Sequence, residues 1–77
     1  MEIYNYDKSW VDYREQKMLT KSQVGKRVKI FYNHRGREKN FYGVLKSVHG
    51  DEIELEQKRQ SVYLRLPEVI ALEVIED

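Results

Sequence analysis

The chain has 77 residues, of which 35% are charged and none is Cys, and its formal net charge is +1. This length suits one domain near the lower limit of what a single apolar core can stabilise, and the lack of Cys excludes disulfides and thiolate metal sites. No apolar run approaches the roughly 20 residues of a membrane-spanning helix, and the polar N-terminus does not resemble a secretory signal. We therefore expect a cytoplasmic protein without membrane contacts.

The charges are distributed unevenly along the chain. Residues 1–46 carry eleven Lys or Arg against five Asp or Glu, whereas residues 47–77 carry three against eight. Such asymmetry can create two faces of opposite potential, one suited to phosphates and one to a basic protein surface. It is equally compatible with a soluble domain in which cross-strand ion pairs cancel part of the charge.

The N-terminal part predicts a flexible leader at residues 1–8, followed by a single helix-plus-barrel domain at residues 9–77. Ser9 with Asp12 three residues later is typical of a helix N-cap, and good helix formers follow it. The side of this short helix that is expected to dock is a narrow stripe of Trp10, Tyr13 or Arg14, Lys17 and Met18.

The segment after the helix predicts one further helical turn and then the first strand. Thr20 with Gln23 is a second capping pattern, which predicts a turn at residues 21–24 that ends at Gly25.

Apolar and charged residues then alternate along five short segments, which is typical of strands with one buried face. Gly43 lies inside the second segment, where a glycine usually marks a bulge or bend, and Pro67 ends the fourth. The predicted strands cover residues 27–32, 39–48, 52–57, 62–66 and 69–75. The side chains expected to form one core are Val28, Ile30, Leu45, Ile53, Leu55, Leu64, Leu72 and Val74.

This pattern predicts a mostly β fold, in which a short N-terminal helix is followed by a five-stranded bent antiparallel barrel. Residues 43–48, followed after a tight turn by residues 53–56, resemble the first Sm motif. Residues 63–70, where the fourth strand turns into the fifth, resemble the second. The resemblance to Sm-like/SH3-like small β-barrel proteins covers roughly residues 19–75. Among bacterial variants the chain resembles Rof-type and YolD-like proteins, and its helix and residues 64–70 are similar to the Rof type.

The resemblance implies a small non-enzymatic regulatory binding module of the transcription or translation machinery. Rof-type proteins bind and inhibit the termination factor Rho, so a larger protein partner is one implied ligand. The turns at residues 49–52 and 65–67 differ from those that read uridines in ring-forming Sm proteins, so that nucleotide pocket is not carried over. Because Pro67 and Glu73 interrupt the edge through which such rings assemble, we expect a monomer or dimer rather than a ring.

The first hypothesis for function places RNA or DNA on the basic and aromatic hairpin formed by the first two predicted strands. Lys and Arg neutralise phosphates, and aromatic rings stack on unpaired bases. The alternative for the aromatic residues is a role in the core or under the helix. The residues proposed to bind nucleic acid are Lys26, Arg27, Lys29, Phe31, His34, Arg35, Arg37, Lys39 and Tyr42.

The alternative hypothesis is a protein-interaction module that inhibits or recruits a larger partner. An acidic row alternates along the third predicted strand, and it is either the solvated face of that strand or a contact for a basic protein surface. The residues proposed for this role are Glu52, Glu54, Glu56, Trp10 and Tyr13. Neither His34 nor His49 has the spacing of a zinc or acid–base site, so we expect no catalytic residue, metal or cofactor.

Overall fold

The computed structural model describes residues 2–7 and 12–76, and in these ranges it shows one antiparallel sheet of six strands and one short helix. The strands are β1 (Glu2–Asn5), β2 (Arg27–His34), β3 (Arg37–His49), β4 (Glu52–Glu56), β5 (Ser61–Arg65) and β6 (Val69–Glu76). The helix α1 (Tyr13–Lys21) lies between β1 and β2, and a 3-10 turn (Leu66–Glu68) joins β5 to β6. No helix in the described ranges is long and apolar enough to cross a membrane.

The strand order in the sheet is β1-β6-β2-β3-β4-β5. Alternation places one set of side chains from β2 to β6 on a common face, where they pack into a single cluster. All eight side chains expected in the core are buried there: Val28, Ile30, Leu45, Ile53, Leu55, Leu64, Leu72 and Val74. The predicted mostly β architecture with one apolar core is therefore confirmed.

The long strand β3 serves two partners. Its first part pairs with β2 and its last part with β4, and Val44 is paired with both Arg27 of β2 and Glu56 of β4. A register shift between Leu45 and Ser47 follows directly. The change of pairing partner occurs next to Gly43, where the sequence predicted a bend. Glycine has no side chain, so a neighbouring backbone can approach closely at this position.

The predicted closed barrel is wrong, because the sheet remains open. Among the described residues β5 pairs with β4 alone, and the free side of β6 is taken by β1. A side chain links β5 to the interior strand β2: the Arg65 backbone N–H donates to the Tyr32 hydroxyl at 3.1 Å. The edges of the sheet are thus β1 and β5.

The predicted order of the N-terminal elements also needs correction. A strand, β1, forms at residues 2–5 within the segment expected to be a leader, so α1 is not the first element. Its Tyr4 lies opposite Leu72 of β6, and its ring packs against the core. Pairing with β6 explains this strand, since four residues alone show too little alternation to predict one.

The helix begins later than predicted. Asp12 is its N-cap, and the carboxylate accepts the Glu15 backbone N–H at 2.9 Å. The predicted cap Ser9 and the stripe residue Trp10 lie outside the described residues. At the other end α1 stops at Lys21, and residues 22–25 form a turn that Gly25 completes with a φ of +94°.

The face of α1 that docks on the sheet differs from the predicted stripe. Met18 is 68% exposed, whereas Thr20 is fully buried. Gln16 Nε2 donates to the Leu66 carbonyl at 3.1 Å, and the Tyr6 hydroxyl lies 2.8 Å from Thr20 Oγ1. Polar contacts therefore hold the helix where an apolar stripe was expected.

Candidate nucleic-acid interface

The register of the β2–β3 hairpin divides the predicted basic and aromatic residues between two faces. Lys29 lies opposite Tyr42, whereas Lys39 lies opposite the buried Tyr32. Because directly opposed residues share a face of the sheet, Lys29 and Tyr42 are on the outer face together with Phe31, and Lys39 is on the core side. The predicted residues therefore do not form one continuous patch.

The outer face carries a compact group of one cation and two aromatic rings, which we call the aromatic–cationic cluster (Lys29, Phe31 and Tyr42). Lys29 Nζ lies 4.7 Å from the centroid of the Phe31 ring and 5.4 Å from that of the Tyr42 ring. Both distances are within the range in which a ring quadrupole attracts an ammonium group. Tyr42 is 54% exposed and Phe31 is half-buried, so both rings present surface to solvent.

Two neighbours of the cluster set its local charge. Arg27 is exposed at the start of β2, on the same outer face and opposite Val44. Glu73 of β6 is the cross-strand neighbour of Lys29 on the other side. The cluster therefore has a guanidinium at one end and a carboxylate beside its centre.

The tip of the hairpin is a two-residue turn in which both central residues have positive φ. Arg35 has a φ of +54° and Gly36 a φ of +82°, and His34 is paired with Arg37 across the turn. Asn33 Oδ1 accepts the Gly36 backbone N–H at 3.0 Å. This backbone suits the right-handed twist of tight hairpins, and it leaves the side chains of His34, Arg35 and Arg37 exposed.

Lys39 and Lys26 lie away from the cluster. Lys39 Nζ is 5.9 Å from the Phe41 ring, and this ring packs edge-on against Tyr32 at 5.8 Å. Phe41 therefore packs against the core, which was the alternative to nucleic-acid binding for the aromatic residues of the hairpin. Lys26 is half-buried in the turn before β2, where its carbonyl accepts the Leu45 N–H at 3.0 Å.

A groove adjoins the cluster at the point where β3 bends, and we call it the Tyr42 groove. Its volume is about 500 Å³. Lys58, which the sequence placed only in a turn, lies in its wall because the β3–β4 pairing brings the end of β4 beside Tyr42. The residues that line it are Arg27, Tyr42, Gly43, Val44, Glu56, Gln57 and Lys58.

The acidic row Glu52, Glu54 and Glu56 alternates with the buried Ile53 and Leu55, as predicted. Much of its charge is engaged within the protein. The Glu54 carboxylate accepts hydrogen bonds from Ser47 at 3.3 Å and Ser61 at 2.9 Å. Glu52 faces Arg65 across the β4–β5 pair.

Glu56 forms an ion pair at one end of the acidic row. Lys46 Nζ lies 3.0 Å from its carboxylate, and this hydrogen bond raises the pKa of Lys46. Both side chains are about half exposed, so the pair contributes little to stability. It does offset the negative charge of Glu56 beside the Tyr42 groove.

The helix residues of the alternative site are only partly described. Tyr13 is 40% exposed, and its hydroxyl donates to the Asp51 carboxylate, which raises the pKa of Tyr13. Trp10 lies outside the described residues. The structure therefore places Tyr13 near the β3–β4 turn and apart from the outer face of β2.

The fold and this surface define the chain as a small, mostly β domain with an exposed aromatic–cationic face. No protein-family model, curated protein or solved structure matches it. Among the described residues, no group of three or more His, Cys, Asp or Glu is placed to hold a metal ion.

Proposed function

We propose that this protein binds single-stranded RNA or DNA through the outer face of β2 and β3, as a small non-enzymatic regulatory module of the transcription or translation machinery. The observation that supports this best is the position of Lys29 Nζ between the Phe31 and Tyr42 rings. It brings a phosphate-binding cation and two stacking surfaces together on one exposed patch.

We also propose that the sheet is an open variant of the Sm-like/SH3-like barrel. The support is the bend of β3 next to Gly43 and the one-turn 3-10 connection between the last two strands. These are the two structural features on which the motif resemblance depends. A fold of this kind hosts many functions, so the function is argued from the surface alone.

The chemistry of the aromatic–cationic cluster suits unpaired nucleotides. Bases stack on aromatic side chains with about 1–3 kcal/mol each, and every base offers a face for this contact. The flexible stem of Lys29 allows its ammonium group to move from the rings to a phosphate, which frees the ring faces for bases. Arg27 adds a second cation at the end of the same face.

The first test measures the binding of fluorescently labelled oligo(dT) and oligo(U) by anisotropy over a series of salt concentrations. We expect Tyr42→Ala to weaken binding by about 5- to 150-fold without changing the slope of log affinity against log salt. Lys29→Gln should lower that slope by about 0.7, the value for one lost phosphate contact on a single strand. The matched control is Tyr63→Ala, which removes a tyrosine that is 58% exposed on β5.

Two outcomes would contradict the proposal. Equal effects of Tyr42→Ala and Tyr63→Ala would show that the cluster is not the interface. A wild-type protein that binds neither oligonucleotide at low salt would rule out nucleic-acid binding. It would then favour the protein-partner hypothesis, with the acidic row of β4 and α1 as the contact.

The second test concerns the cations at the hairpin tip. Because Arg35 has a positive φ, Ala at this position would strain the turn, whereas Asn tolerates the conformation. We therefore pair Arg35→Asn with Arg37→Gln, which removes two charges and preserves the turn. The salt slope should fall by about 0.7 for each arginine that contacts phosphate. An unchanged slope would place the tip outside the interface.

A further inference from the structure

The Tyr42 groove has the size and position of a ligand subsite. Its volume of about 500 Å³ lies within the usual range of roughly 300–1,000 Å³ for small-molecule sites. It opens between the outer face of β3 and the turn that joins β4 to β5. Tyr42, which belongs to the aromatic–cationic cluster, also lines this groove, so the two surfaces are continuous.

The wall formed by the β4–β5 turn is held in place by hydrogen bonds of Gln57 and Gln60. The Gln57 backbone N–H donates to the Gln60 carbonyl at 2.8 Å, and Gln60 Nε2 donates to Gln57 Oε1 at 3.3 Å. Gln57 Nε2 donates to the Tyr42 carbonyl at 3.1 Å. These contacts hold the turn against β3, which lowers the cost of ordering it when a ligand binds.

The charge balance of the groove favours an anion. Arg27 and Lys58 are both exposed in its walls. The one carboxylate in its lining, that of Glu56, is engaged by Lys46 at 3.0 Å. The lining therefore carries two cations, Arg27 and Lys58, against one carboxylate whose charge Lys46 offsets, beside the exposed ring of Tyr42.

We propose that the Tyr42 groove is a subsite for one nucleotide, in which the base stacks on Tyr42 and the phosphate binds between Arg27 and Lys58. This inference rests on the proposed function and assigns Lys58 a role that its position in the sequence does not reveal. The strand then runs from the aromatic–cationic cluster on β2 and β3 into the groove beside the β4–β5 turn.

Lys58 and Arg59 supply a matched pair of variants for the test. They are adjacent and exposed in the same turn, but only Lys58 lines the groove. Lys58→Gln and Arg59→Gln each remove one positive charge, and thermal unfolding will show whether either variant loses stability. We expect Lys58→Gln to weaken oligonucleotide binding several-fold and to lower the salt slope by about 0.7, whereas Arg59→Gln leaves both nearly unchanged.

A second measurement uses a mononucleotide, uridine 5′-monophosphate, titrated into the isotope-labelled wild-type protein. Shift changes centred on the backbone amides of Tyr42, Gln57 and Lys58 are the expected result. The subsite would be overturned by equal effects of the two Gln variants, or by chemical-shift changes away from these amides. In either case, oligonucleotide binding by the wild type would still uphold the proposed function. Absence of that binding would instead overturn the proposed function itself.

Discussion

Gly43 is the position where the fold depends most directly on one residue type. A β-carbon at this residue would lie 2.5 Å from the Glu56 carbonyl oxygen and 3.0 Å from Leu55 Cγ. The first of these neighbours is backbone, which cannot rotate away. The close approach of β4 to β3 at the bend therefore requires glycine.

We predict that Gly43→Ala lowers the free energy of unfolding by about 2 kcal/mol or more, because the added methyl group forces β4 away from β3. The control is Gly50→Ala, where φ is +57° but nothing lies within 4 Å of the added carbon. Backbone strain alone should cost this control about 1 kcal/mol. Urea denaturation measures both, and an equal loss in the two variants would contradict the steric explanation.

At the scale of elements, α1 and the segment that follows β1 are connected by a chain of polar contacts. Thr20 Oγ1 donates to the Gln16 carbonyl at 2.7 Å, so its only proton is used there. The Tyr6 hydroxyl, 2.8 Å away, must then be the donor to Thr20. The half-buried Tyr6 thereby ties the segment after β1 to the buried side of the helix.

This contact predicts a loss of stability in alkaline solution. Burial raises the pKa of Tyr6. Because the folded-state pKa lies above the ordinary value of 10, the folded protein holds this proton more tightly than the unfolded chain. The corresponding stabilisation is complete below pH 10 and is lost as the pH rises through the folded-state pKa.

We therefore expect the melting temperature of the wild type to fall as the pH is raised from about 9 to 11.5, and to fall less in Tyr6→Phe. The melting temperature of Tyr6→Phe will still decrease in this pH range, because the pKa values of Tyr4 and Tyr13 are also raised. At neutral pH the variant should lose about 1 kcal/mol with its hydrogen bond. Tyr63→Phe, on the exposed side of β5, is the control, and an identical alkaline decrease in Tyr6→Phe and wild type would show that Tyr6 is not responsible.

At the scale of the whole molecule, the open sheet determines which edges are available for assembly. The sequence assigned an edge to the last strand, but β6 is paired on both sides, with β1 and with β2. The available edges are β1, which has four residues, and β5, which has five. A ring that pairs the last strand with a neighbouring subunit would have to displace β1.

We predict that the protein is a monomer or dimer. Light scattering coupled to size-exclusion chromatography should give the mass of one or two chains, because the two available edges are short. Deletion of residues 1–5 exposes the edge of β6 and provides a comparison. A wild-type mass near six chains would contradict the prediction, whereas larger assemblies only in the deletion variant would support the protective role of β1.

Local alternation was sufficient to predict β2 to β6, because burial of one face leaves a period of two within each strand. It could not predict β1, in which Tyr4 alone packs against the core while Ile3 and Asn5 face outward. The helix stripe was wrong because the docking contacts of Gln16 and Thr20 are hydrogen bonds. The spacing of apolar residues along a helix gives no information about such polar contacts.

The sequence by itself determined that this protein is mostly β, where its core residues lie along the chain and that Gly43 marks a bend. Only the tertiary structure decided that the sheet stays open, that Lys29 and Lys39 lie on opposite faces of one hairpin and that Lys58 and Tyr42 line one groove. The reason is that alternation reports the environment of each residue within its own strand. Register and strand order arise from hydrogen bonds between segments distant in sequence, and a shift of one residue would exchange the two faces.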